Sequence, residues 1–133
     1  MLSFIFDLIS LFTKLPKSVQ TQIIEAITAT FAFAFRYMYK DKNKEDLSTA
    51  TEQAVTPQQW QGTTAAVGSF VPSLYSKKKK EEFANSVIEL VKSKEFINQL
   101  SKRIEQVQAK DEEAYVALCS IETKRLIIEM MER

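Results

Sequence analysis

In the first fifteen residues the polar positions Ser3, Asp7, Ser10 and Lys14 recur at i, i+4, i+7 and i+11, and nearly everything between them is Leu, Ile or Phe. At about 100° per residue this spacing stacks the polar groups in one narrow helical stripe. The apolar arc from Leu11 through Phe12 and Ile5 to Phe6 then covers roughly 220°, where a surface helix on one core needs little more than about 100°. The pattern therefore predicts a helix over 2–15 that touches more than one neighbour. Phe4, Ile5, Leu8, Ile9 and Phe12 are the expected interaction surface, facing a protein partner or a second copy of the chain.

Pro16 separates this helix from the next, since it disfavours helix at Leu15 and suits a helix start. Val19, Ile23, Ile27, Phe31, Phe35 and Tyr39 then form an i, i+4 ladder from about Lys17 to Tyr39. Phe31, Phe33, Phe35, Tyr37 and Tyr39 also alternate at period two, which a strand would place on one face. Ala32 and Ala34 between them favour helix over strand. The helical reading puts Phe33 and Tyr37 nearly opposite Phe31, Phe35 and Tyr39, so this helix is also apolar on two sides.

Residues 40–55 are the most polar part of the chain and read as a surface connection, with a short helical turn near Ser48 to Gln53. Thr56-Pro57-Gln58-Gln59 is a clear helix start. Thr56 stands at the N-cap, Pro57 at the first helical position and Gln59 where a capping box needs it, with Val55 and Trp60 placed for a hydrophobic staple. This third helix runs to about Val71, with Trp60, Thr64, Val67 and Val71 inward, and Pro72 closes it. A fourth covers about Ser76 to Lys92, with Phe83, Val87, Leu90 and Val91 inward.

Ser93 caps a fifth helix to about Ala109, on Ile97, Leu100, Ile104 and Val107. Asp111 caps a last one from Glu112 to Met131, on Tyr115, Leu118, Ile121, Leu126 and Ile128. One long helix over 94–131 is the alternative. Ile97, Leu100, Ile104, Val107, Ala114, Leu118, Ile121 and Ile128 keep a 3,4 seam along it, broken at Asp111 and Arg125. The expectation is an all-α, single-domain bundle of five or six helices spanning 1–133.

A chain of 133 residues suits one core. Eighteen basic against seventeen acidic residues leave a net charge of +1, which argues against nucleic acid as partner. The absence of histidine removes the commonest general base and the commonest metal ligand. Cys119 is the lone cysteine, flanked by apolar residues, and reads as a buried thiol. Gly62 and Gly68 are too few and badly spaced for a phosphate loop.

Asp111, Glu112, Glu113, Glu122, Glu129 and Glu132 fall at a helix start or on its polar face, where acids suit the dipole. The serines near lysine, Ser73 and Ser101, lack a convincing activating base. The expectation is thus a non-enzymatic interaction or regulatory module, with no catalytic residue, no cofactor and no metal.

The run Lys77, Lys78, Lys79, Lys80 opposes the dipole of the helix it opens, so helix stability does not explain it. It is the candidate contact for an anion or anionic lipid. A 14-residue apolar helix spans about 21 Å, short of the ~30 Å hydrocarbon core. The expected location is cytoplasmic, and the rival function is a peripheral membrane-surface protein using the first helix and the lysine run.

Overall fold

A computed structural model describes the backbone of residues 2–40 and 46–132 and the side chains of residues 8–40 and 46–132. Among the described residues seven helices follow one another in chain order: α1 (Leu2–Lys14), α2 (Lys17–Lys40), α3 (Leu47–Ala54), α4 (Pro57–Phe70), α5 (Lys77–Lys92), α6 (Lys94–Ile104) and α7 (Glu112–Met131). The fold is all-α, as the periodicity predicts. Among the described residues there is no strand, so the period-two alternation over Phe31–Tyr39 is carried by helix.

The count of five or six is corrected to seven by α3, which occupies the second half of the polar connection. Asp46 caps it, its carboxylate accepting from the Thr49 N–H at 2.8 Å, and that bond holds the carboxyl below its ordinary range. Only Leu47, Ala50 and Thr51 of α3 are buried, against α2 and α6. Residues 41–45 lie outside the described part of the chain.

The region 94–131 is two helices and not one. The α6 helix stops at Ile104, five residues earlier than its pattern suggests, and Asp111 starts α7 by accepting from the Ala114 N–H at 2.8 Å.

The long helix α2 is the centre of the molecule, packing on α7, α3 and α4. Its Ile23, Ile27, Phe31 and Phe35 are fully buried. Phe31 meets Trp60 of α4 edge-on, with ring centroids 5.7 Å apart, and lies 5.8 Å from Phe96 of α6. One core cluster takes residues from all seven helices.

Thr28 and Thr30, buried on α2, donate back to the Ile24 and Ala26 carbonyls, and the Thr30 hydroxyl also bonds that of Thr63 on α4. The predicted cap of α4 is present: Pro57 opens the helix, and Thr56 and Gln59 form both hydrogen bonds of the capping box, at 3.1 and 2.7 Å.

The turn between α1 and α2 is closed by Gln20. Its side-chain amide donates to the Phe12 and Leu15 carbonyls at 3.1 and 2.9 Å, satisfying carbonyls that the end of α1 leaves open.

Candidate functional site

The first helix keeps less for outside use than its arc suggests. Leu8 and Phe12 are buried in the chain's own core and Ile9 is half-buried; Phe4 and Ile5 lie outside the residues whose side chains are described. The neighbours of α1 are α5 and α7. Within the described part, the expected interaction surface is therefore largely internal.

The last helix is the reverse. Its buried side is Cys119, Thr123, Leu126, Ile127, Met130 and Met131. Of the residues expected inward, only Leu126 is fully buried. Tyr115 is half-buried, while Leu118, Ile121 and Ile128 are 41%, 44% and 40% exposed. At about 100° per residue these three project almost directly away from the buried side, with Ala114 and Arg125 on the same line. The 3,4 seam seen in the sequence exists on α7, but it points out of the molecule.

Arg125 interrupts this stripe and is held by Glu122 at 3.1 Å. Arg103 of α6 reaches Glu122 at 4.0 Å and also bonds Glu129, so a mixed-charge network borders one side of the seam. The loop residues Gln106, Val107 and Gln108 stand beside Leu118 and Ile121 around a shallow recess of about 430 Å³.

The lysine run is divided by the helical turn. Lys77 and Lys80 face a groove between α4 and α5. Lys79 points to the other side of α5, its ammonium 5.4 Å from the Tyr75 ring centroid, and borders a second groove with Leu8, Leu11 and Lys14. Lys78 is exposed and lines neither. The four charges thus do not act as one patch.

The α4–α5 groove encloses about 1090 Å³. Its lining joins Trp60, Ala65 and Gly68 of α4 to Ala84 and Ile88 of α5, and Lys92 lies over the Trp60 ring at 5.3 Å. A Cβ added at Gly68 would sit 3.7 Å from the Ala84 Cβ, so the two helices approach closely there and the groove has a small-residue floor. The sequence signalled Lys77 and Lys80 but neither Lys92 nor the role of Trp60 beside them, because packing of α4 on α5 brings these together.

Cys119 is fully buried with Tyr115 one turn away. Burial pushes its thiol up to about 11; a hydrogen bond with Tyr115 offsets part of this, and the nearby Glu122 charge adds to it. Burial likewise raises the Tyr115 phenol above its ordinary value, with Cys119 adding to the rise. A thiol so placed is protonated at neutral pH and unsuited to nucleophilic work.

Among the described residues no group of three or more His, Cys, Asp or Glu side chains could hold a metal ion. No described helix is long and apolar enough to cross a membrane. Comparison of the chain with protein-family models, with curated proteins and with solved structures finds no match in any of the three.

Proposed function

We propose that this protein is a non-enzymatic interaction module whose working surface is the outward stripe of α7, and that it pairs there with a second copy of itself. The observation that carries the reading is the line of Ala114, Leu118, Ile121 and Ile128 at 3,4 spacing on the far side of a helix already packed into its own core. A helix spaced in this way offers the seam of a coiled coil.

The charges favour an antiparallel second copy. Pairing about a two-fold axis between Cys119 and Ser120 sets Leu118 opposite the partner's Ile121, and Ala114 opposite the partner's Arg125. No like charges meet in that seam, and a small residue faces the long guanidinium. A parallel pair would stack Arg125 on its own copy, a like-charge contact that opposes association.

The stripe from Ala114 to Ile128 is about 21 Å long at 1.5 Å per residue. That gives a contact at the low end of specific interfaces, so assembly should depend on protein concentration. The reading is tested by sedimentation equilibrium over a concentration series. The unmodified chain is expected to dimerise. Leu118→Glu/Ile121→Glu is expected to stay monomeric with an unchanged far-ultraviolet spectrum. A chain that is monomeric throughout the series defeats self-association, and a heterologous helical partner is then the form of the proposal left to test.

A membrane-surface role is the weaker reading. It relied on the apolar arc of α1 together with the lysine run, and the burial of Leu8 and Phe12 and the division of the lysines both count against it.

A further inference from the structure

The groove between α4 and α5 is lined by neither the α7 stripe nor any residue near it, and it has a character of its own. Its floor is apolar and long: the two helices run from the Gly68–Ala84 approach at one end to Trp60 and Lys92 at the other. Lys80 to Lys92 spans about 18 Å at 1.5 Å per residue. The depth comes from the small side chains of Ala65, Gly68 and Ala84, which leave room where larger residues would have met.

Charge is unevenly placed along the rim. Lys77 and Lys80 stand at the Gly68 end with Glu81, and Lys92 stands at the Trp60 end with Glu52 coming from α3. No ion pair among the described residues engages any of these five side chains. The Gly68 end is therefore net positive, and the cavity beyond it is apolar with an aromatic wall. Small-molecule sites have this form, a largely apolar cleft with a few placed polar groups that fix orientation.

We propose that this groove binds a free, single-chain amphipathic anion, a carboxylate with an elongated hydrocarbon body. The head lies between Lys77 and Lys80, and the tail runs over Ala84 and Ile88 to the Trp60 face. Lys92, which lies over the indole, moves aside or follows the tail. This accounts for two of the four lysines that helix stability leaves unexplained, since an anion held there relieves their mutual repulsion at the positive end of α5.

Trp60 is the chain's only tryptophan and lines the groove, so its emission reports occupancy. The experiment titrates the full chain with dodecanoate below its micelle concentration, with dodecyltrimethylammonium, and with acetate, following Trp60 fluorescence and calorimetric heat. Dodecanoate is expected to saturate one site, the cationic amphiphile to bind more weakly, and acetate to give no signal. Lys77→Gln/Lys80→Gln should weaken dodecanoate about tenfold, as two exposed charge contacts of ordinary strength are lost together. Lys78→Gln/Lys79→Gln, with the same change in net charge, should leave affinity unchanged. Ala65→Phe fills the groove from an exposed position and should abolish binding without altering the far-ultraviolet spectrum.

The proposal is overturned if dodecanoate gives no saturable signal, or if the cationic amphiphile binds as well. Equal weakening by the two lysine double variants, or binding that survives Ala65→Phe, overturns it too. A further arm floats the chain with phosphatidylglycerol vesicles. Vesicle binding that depends on Lys77 and Lys80, without dodecanoate binding, would assign these lysines to a membrane surface instead. None of these outcomes depends on whether α7 pairs with a second copy.

Discussion

The first and last helices are both patterned with apolar residues on two sides, yet the described side chains of the first are drawn into the core while one side of the last stays exposed. In α1, Leu8 and Phe12 are buried and α5 and α7 supply the two neighbours. In α7, the side carrying Cys119, Leu126 and Ile127 is buried, while Leu118, Ile121 and Ile128 keep about two-fifths of their surface. Excess apolarity thus measures how many neighbours a helix needs but is silent on which chain supplies them. The N-terminal arc is the wider in the sequence; the C-terminal stripe is the one that keeps an exposed apolar side, bordered only in part by Gln106, Val107 and Gln108.

The contrast is broken most directly by cutting into the covered side. Phe12→Ala should destabilise the protein by about 3–5 kcal/mol, the usual cost of emptying a buried aromatic site. Urea unfolding measures it, and a loss under about 1 kcal/mol would mean that α1 is not the enclosed helix described here.

The covered side of α7 carries the next effect. The Cys119 thiol ionises near its ordinary 9.0 when unfolded but only near 11 when folded. Between those values the unfolded chain releases a proton that the folded chain retains, so stability falls as pH rises through the window. The fall is on the order of 2 kcal/mol, and none of it is expected below the lower value. Denaturation midpoints of the native chain and of Cys119→Ala at pH 8 and pH 10.5 check it, the variant being expected to show the shallower decline. The Tyr115 phenol acts in the same direction at still higher pH.

Asp111→Ala removes the N-cap of α7 and should cost about 1 kcal/mol. Circular dichroism should show that loss as a lower melting temperature with no change of fold. The smallest effect belongs to the outer stripe. Leu118→Ser/Ile121→Ser should shift monomer stability by no more than about 0.5 kcal/mol per site, measured at a concentration where association is absent. A large loss there would place those side chains inside the fold and remove the contrast altogether.

What was legible in the sequence was what is local. The α4 start was readable residue by residue because Thr56 and Gln59 bond within one turn. The ladder of α2 was readable because Ile23, Ile27, Phe31 and Phe35 repeat regularly on one face. The direction of the α7 seam was not readable. Its inner side includes Cys119 and Thr123, which look less apolar than Leu118 and Ile121, and only the packing on α2 decides between them. Of α3 only a short helical turn near Ser48 to Gln53 was legible, because Leu47 and Ala50 are a thin signal in a polar stretch, stabilised by burial that depends on distant residues. The groove was half visible: the lysine run could be seen, but its division between two sides of α5 follows from the helical turn, and its union with Trp60 from tertiary contact.

The pairing of α2 with α7 has a consequence for how the protein is made. The ribosome delivers α2 well before α7, at about 5–20 residues per second, so the nascent chain carries α2 for several seconds before its α7 neighbour arrives. Closing so long a stretch of chain is slow compared with forming either helix alone. A stop codon before α7 would therefore release a product in which α3 and α4 can still cover their sides of α2, while the side that meets α7 stays open.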